Sequence, residues 1–477
     1  MNKKISYILA IAAVLFTAAC SDLMDDLNKN VDNPTNVESK FTISDGLVAT
    51  AFSTVGADYT LYASVFMELN VGIYGQMYNA EIRVSEPINP TTYNNAWNTS
   101  YRTLYNFKTV IGKCSDNGAE AGNYLNLGIA QVMTAYNLAL LTDVMGDTPW
   151  SEALDPVNFK QPKLDKQENI YTAVFQYLDD AIVNLGKTFT FPSLGKQDLI
   201  YKGDAQKWIK FAYGLKARYL MRLSKVSPKY DEVITNANQS FANAGEQAKF
   251  AYDGSTTTSP FNRFFRDRDY FGASQSLKDK LDARNDPRVN VYFKAHPSAA
   301  TLVFAPNGSP DQIQKKYGVS ALSAPTAPTF LLSYHELEFL KAEAYARKGN
   351  TADAETALKK AIAAAFVKVG LTETAADSYY SSDVQALFTA NPVSEIMMQK
   401  YLACYEEESL EAYNDYRRMK AMGESFITLA NPLNSTKFPL RYVYGAEDVV
   451  ANPNVSAATG DGTYVYTENV WWAGGSR

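Results

Sequence analysis

Histidine and cysteine are scarce in this 477-residue chain, which holds 2 His and 3 Cys. So few histidines leave little room for a His-rich metal site or a nucleophile activated by an imidazole base. No Cys-x-x-Cys pair or Cys/His spacing of the metal-binding kind occurs, so neither metal nor cofactor is expected. Basic charge is short as well: 45 Lys+Arg stand against 51 Asp+Glu, for a formal charge of −6. Binding to a phosphate backbone needs a basic surface, which argues against nucleic acid as a partner. What is present is ordinary for a folded protein, with 46% hydrophobic and 20% charged residues. That balance excludes wholesale disorder and a polytopic membrane protein. The length allows two or three domains or one large helical array. Aromatics are plentiful, with 32 Tyr and 24 Phe beside only 5 Trp.

The N-terminus has the pattern of an export signal. Lys3 and Lys4 precede an apolar run, Ile8 to Phe16, that is too short to span a bilayer stably. Thr17, Ala18 and Ala19 follow, then Cys20. A cysteine directly after small residues resembles the lipobox of bacterial lipoproteins, in which Cys20 becomes the acylated first residue. The alternative is an ordinary secretory signal with Cys20 incidental. Loss of residues 1–19 removes both lysines and takes the net charge from −6 to −8. Residues 20–40 then read as a tether. The run Asp26-x-Asn28-x-Asn30-x-Asp32 resembles a calcium loop only superficially, because Val31 and Val37 stand where the turn glycine and the closing glutamate belong. The other two cysteines, Cys114 and Cys404, could pair in an oxidising compartment or remain buried thiols.

From Thr42 onward helical periodicity dominates. The spacing predicts helices over 42–55, 60–78, 94–114, 123–143, 168–186, 204–226, 229–244, 273–283, 331–348, 351–367, 381–389 and 392–420. The clearest pattern runs from Ser333 to Val367, where Gly349-Asn350 separates two amphipathic stretches. Ala342 and Tyr345 face Ala354, Leu358 and Ala361, the small-large-small spacing of tetratricopeptide helix pairs. Looser copies are expected within 123–186 and 204–244, beside the clear one in 331–367. Irregular stretches at 146–167, 250–272 and 295–330 separate them and mark functional surfaces. The C-terminal part carries turn signals (Pro439, Asn452-Pro453, Gly460-Asp461-Gly462) and a short strand pattern at Tyr464 to Tyr466. The expected fold class is mainly α, with tetratricopeptide-like helical repeat pairs supporting a loop-rich half that has minor β hairpins. Residues 41–477 are expected to form one domain.

The segment Asp143 to Ala153 (DVMGDTPWSEA) ends a helix at Gly146, offers Asp147 as a backbone acceptor and fixes the exit with Pro149. It resembles the Gly-Asp-x-Pro-aromatic-x-Glu-Ala signature of SusD/RagB-type outer-membrane lipoproteins. Further stretches agree in order: Asn285-Asp286-Pro287-Arg288 after the Phe261 to Phe271 aromatic segment, Glu336 to Asn350, Glu408 to Arg418, and Phe438 to Tyr444 with Asn452-Pro453 and Val470-Trp471-Trp472. With Cys20 included, the resemblance spans nearly the whole chain. It implies a lipid-anchored protein of the cell outer membrane, facing the exterior. Such a protein captures an oligosaccharide or a peptide, delivers it to a SusC-like TonB-dependent transporter, and is not an enzyme.

Residues suited to ligand capture are aromatics that stack on sugar faces, with amides and cations nearby for the hydroxyls. Tyr74, Tyr78, Asn79 and Arg83 form one such cluster in sequence, with Trp97 close by. Trp97 has a second reading, as a core residue beside Tyr101 and Tyr105. The Phe261 to Phe271 segment alternates aromatic and charged residues and could bind a ligand or cover the helices. Trp471 and Trp472 have packing as the simpler reading. Two rival functions remain. One is a glycoside hydrolase using Glu407, Glu411 and Asp415, spaced as one helix face with Arg418 a turn on; a charge network explains the same residues. The other is a repeat scaffold that binds only proteins.

Overall fold

In the computed structural model, residues 37–84 and 91–477 are described. Cys20, the leader, the tether as far as residue 36 and the calcium-like run up to Asn36 lie outside them. Helices dominate, joined by four two-stranded antiparallel ladders.

The Tyr124–Met145 helix carries apolar residues on every side and is buried along almost its whole length. A helix without a polar face cannot lie on a surface, so its neighbours enclose it. Asn94–Cys114 packs on one flank and Gln167–Leu185 on the other. Gly128 allows the close approach, since a Cβ there would meet the Leu185 side chain. By length and composition this helix could cross a membrane, but here its whole length is inside the protein.

The Tyr334–Arg347 and Thr351–Lys368 helices form the clearest repeat pair. Ser333 Oγ accepts the Glu336 N–H at 3.2 Å and Asn350 Oδ1 accepts the Asp353 N–H at 3.3 Å, so each helix starts on a side-chain cap. Ala342, Ala354, Leu358 and Ala361 are fully buried between them, in a cluster with Phe339, Ile362 and Phe366. Small residues at the crossing let the axes approach and large ones fill the groove.

A buried ion network joins five helices. Arg218 on Ala205–Arg222 makes a two-point contact with Glu336, at 2.8 and 2.6 Å. Arg222 reaches Asp143 at 3.2 Å and also pairs with Glu411. On Ser409–Ala421, Arg418 holds Glu343 at 2.7 Å and Asp415 at 3.1 Å. Lys400 of Pro392–Ala403 adds a second cation at 2.7 Å from Asp415. Glu411 and Asp415 are therefore engaged in holding helices together, as the charge-network reading expected.

Several expected elements differ. The 60–78 helix is broken into Asp58–Phe66, a strand at Asn70–Gly72 and Gly75–Glu81. Glu68 causes the break: its backbone turns to φ +58 so that its carboxylate can accept the N–H groups of Ala430 and Asn431, both at 2.7 Å. The 392–420 helix is likewise two helices, parted at 404–408 by Glu406 with φ +73. That turn sends Glu408 to His335 at 3.0 Å and to Lys368 at 2.5 Å. The 229–244 helix ends at Asn238. The strand expected at Tyr464 to Tyr466 is a helical turn, Tyr464–Thr467, because Tyr464 and Val465 are both buried and Tyr464 stacks on Tyr444. Cys114 and Cys404 are separate buried thiols.

Candidate ligand-binding surface

The two segments that sequence reading kept apart, 74–83 and 261–271, meet through a strand pair. Asn70, Val71 and Gly72 pair antiparallel with Ala273, Gly272 and Phe271. The ladder continues by one bond, with Ile73 N donating to the Tyr270 carbonyl at 2.8 Å. Tyr74 therefore emerges beside Tyr270, with ring centroids 5.6 Å apart. Gly75 makes room: it adopts φ +54, and a Cβ there would come within 2.7 Å of the Tyr270 ring.

Tyr74 is 53% exposed, the kind of open aromatic face on which a sugar ring stacks. Phe264 meets Tyr270 edge-on at 5.7 Å, and the Arg268 guanidinium lies 5.8 Å from the Tyr270 ring centre. Tyr78 OH donates to the Pro310 carbonyl at 3.0 Å, and Asn79 is exposed nearby on Gly75–Glu81. Gln314 Nε2 donates to the Asp269 carbonyl at 3.0 Å, fixing the 310–315 loop against the same edge.

The Pro260–Arg268 helix links this surface to a cavity of about 350 Å³ lined by Phe52, Asp58, Asn95, Thr99, Arg263 and Phe264, among others. Ser259 Oγ caps the helix by accepting the Asn262 N–H, and Pro260 begins it. Burial pushes the Asp58 carboxyl up to about 6. Arg263 lies over the Phe52 ring at 5.6 Å. Phenyl rings, an amide, a hydroxyl, a carboxyl and a guanidinium thus line one concave site, the mixture that polar ligands with an apolar face require.

Two expected site residues are corrected. Trp97 is fully buried, its Nε1 donating to Asp448 Oδ2 at 2.5 Å and its ring packed against Tyr101 and Tyr444. The core reading holds for it, because no face of the indole is open. Arg83 is 1% exposed, donating to the Ala80 carbonyl and to Asn434 Oδ1, both at 2.6 Å, with its guanidinium 5.2 Å from the Phe66 ring. It braces the end of its own helix from inside the protein. Trp472 is also core, between the guanidinium groups of Arg222 and Arg417.

The Phe261 to Phe271 segment covers the helices in part and leaves other side chains open. Phe261 and Phe271 are buried as cover, while Phe264, Arg268 and Tyr270 reach the surface. Sequence reading missed Phe52, Asp58, Asn95 and Thr99, which carry no local pattern and converge only through folding.

A larger cavity of about 860 Å³ shares no lining residue with this site. Its walls include Ala324, Ala363, Ala364 and Val367, and its Phe330 ring is capped by Lys368 at 4.8 Å. The half-buried Tyr334 also lines it.

The Asp143 to Ala153 segment is a structural clasp. Asp147 accepts the Gln167 N–H at 2.8 Å and pairs with Lys166 at 2.9 Å, and Tyr101 OH donates to the Pro149 carbonyl at 2.8 Å. Phe438 to Tyr444 closes over it, with Tyr442 N donating to the Val144 carbonyl at 2.7 Å, Tyr444 OH to that of Asp147 at 2.9 Å, and Arg441 to that of Met145.

A SusD-like family profile described as "Starch-binding associating with outer membrane" matches residues 18–445. A solved SusD/RagB family protein from Bacteroides thetaiotaomicron is 46% identical, with a TM-score of 0.88 over 93% of this chain and 100% of that one. A chitin-binding protein is 22% identical, with a TM-score of 0.73 over 92% of this chain and all of the other. A chitin-binding SusD homolog from Flavobacterium johnsoniae is 19% identical, with a TM-score of 0.72 over 90% and 98%. At those identities the last two share the fold. No curated protein matches the sequence.

Proposed function

This chain belongs to the SusD-like family, and from that membership we propose that it captures an oligosaccharide at the Tyr74–Tyr270 surface and passes it to a SusC-like TonB-dependent transporter. The observation that carries this reading is the open Tyr74 ring, held against Tyr270 beside a cavity with amide, hydroxyl and charged groups. Aromatic faces bind the apolar side of a sugar, and the polar groups bind its hydroxyls. Tyr78 and Asn79 extend the surface along the next helix. In the same reading residues 1–19 are a cleaved leader and Cys20 is acylated. Residues 20–40 then tether a domain of residues 41–477 to the outer face of the membrane.

The protein binds its ligand and does not turn it over. Of the three carboxylates a hydrolase would have used, Glu411 and Asp415 are locked in ion pairs with Arg222, Arg418 and Lys400, and Glu407 is buried 3.6 Å from Lys368. A free acid and base on either side of a scissile bond are what glycoside hydrolysis needs. Calorimetric titration of purified protein with a panel of oligosaccharides and peptides tests the reading. Saccharide binding without hydrolysis is expected. Binding of peptides alone would replace the saccharide with a peptide, and binding of neither would favour a protein-only scaffold.

A further inference from the structure

The candidate surface carries a cluster of cationic side chains. Three arginines project from one short helix, Pro260–Arg268. Arg266 is engaged with Asp267 through two contacts, at 2.6 and 3.0 Å. Arg263 and Arg268 are exposed, and among the described residues neither guanidinium has an ion pair or donates a hydrogen bond. Each instead lies over an aromatic ring, Arg263 over Phe52 at 5.6 Å and Arg268 over Tyr270 at 5.8 Å. A guanidinium placed over a ring keeps N–H donors at its edge for a planar or tetrahedral oxyanion.

Among the described residues no nearby carboxylate forms an ion pair with these two groups. Asp267 is held low by its hydrogen bond to Arg266 first, with the charges of Arg266, Arg263 and Arg268 adding to it. Asp269 accepts the Lys315 N–H at 3.1 Å and meets His296 at 3.3 Å. Asp58 sits deeper in the cavity and pairs with no cation among the described residues. The exposed Lys315 and Lys316 add positive charge along the same edge. A cation at the end of a helix complements the helix dipole, which accounts for Arg268 by itself. It does not account for Arg263, which stands in the first half of the helix. On a chain of net charge −6, a cluster of uncommitted guanidinium groups beside stacking aromatics is a specific feature.

We propose that the saccharide bound at the Tyr74–Tyr270 surface is anionic, its carboxylate or sulfate groups being held by Arg263 and Arg268. This rests on the saccharide-binding reading above and adds a charge class to it. The test is calorimetry on the purified full chain with four probes: an oligogalacturonide, its methyl-esterified form, a sulfated galactan oligosaccharide, and its desulfated form. One acidic probe should bind, and its neutral partner should bind roughly 10-fold more weakly, as for loss of a hydrogen bond to a charged group. Arg263→Gln and Arg268→Gln should each weaken the acidic probe by a similar factor, with unchanged melting temperature because both side chains are exposed. Raising the salt should weaken it further. The two pairs distinguish a carboxylate from a sulfate. Equal binding of the acidic and neutral forms, or indifference to both arginine substitutions, would overturn the charge assignment and leave the saccharide reading standing. Binding of none of the four would count against both.

Discussion

Tyr74 and Tyr270 are neighbours because Gly75 has no side chain: a Cβ at that position would press into the Tyr270 ring at 2.7 Å. The aromatic surface therefore depends on one backbone position. Gly75 also holds φ +54, which an L-residue adopts at a penalty of about 1–2 kcal/mol. We expect Gly75→Ala to lower stability by about that amount and to weaken ligand binding, because Tyr270 must rotate away. Thermal melting and titration calorimetry measure the two effects separately.

Trp97 should behave in the opposite way. Its truncation to Ala empties a fully enclosed site and leaves Asp448 without the indole N–H. A loss of about 3–5 kcal/mol is expected from the cavity. The protein that remains folded should keep normal affinity, since the indole does not reach the ligand surface. Denaturant titration alongside binding at low temperature checks both parts.

The buried ion network should make the fold sensitive to acid. Burial alone would raise the Asp415 carboxyl, but Lys400 and then Arg418 outweigh it and hold it at about 2. A carboxyl lowered in the folded state contributes stability above its unfolded value and loses it as pH falls through the folded one. The contribution of Asp415 should therefore disappear between about pH 4 and pH 2. Breaking the network from the other side, with Glu343→Gln, leaves the enclosed Arg418 poorly matched and should cost about 3–5 kcal/mol at neutral pH. Unfolding curves across pH for the wild type and this variant are the measurement.

Asp58 has the reverse sign. Burial raises its carboxyl to about 6, so the folded protein holds that proton more tightly than the unfolded chain does. Its contribution to stability is present below about pH 4 and is lost as pH rises to about 6. Ionisation also places a negative charge in the cavity, so an anionic ligand should bind less tightly above pH 6. Asp58→Asn should flatten both trends, which melting and binding measured from pH 4 to 8 would reveal.

Much of the helical framework could be read from residue spacing. Asn94–Cys114 and Thr351–Lys368 lie where the apolar periodicity put them, and Ser333 and Asn350 announce their helix starts by cap chemistry. The misread elements share one cause, a long-range contact overriding local pattern. Glu68 leaves its helix to bind the backbone at 430–431, and Tyr464 gives up strand geometry to stack on Tyr444. The candidate site was legible in part. Tyr74, Tyr78 and Asn79 stand out as polar aromatics and amides near a loop, but only the pairing of Asn70–Gly72 with Phe271–Ala273 brings Tyr270 to them. Arg83 and Trp97 have the right chemistry, and sequence alone could not show that both turn inward.

The most direct test of saccharide capture is titration of the tightest-binding oligosaccharide into the wild type, Tyr74→Ala and Tyr270→Ala. The account predicts that each substitution weakens binding roughly 3- to 10-fold, the scale of one aromatic contact, and that Tyr74→Ala leaves the melting temperature unchanged. Wild-type affinity in both variants would contradict it.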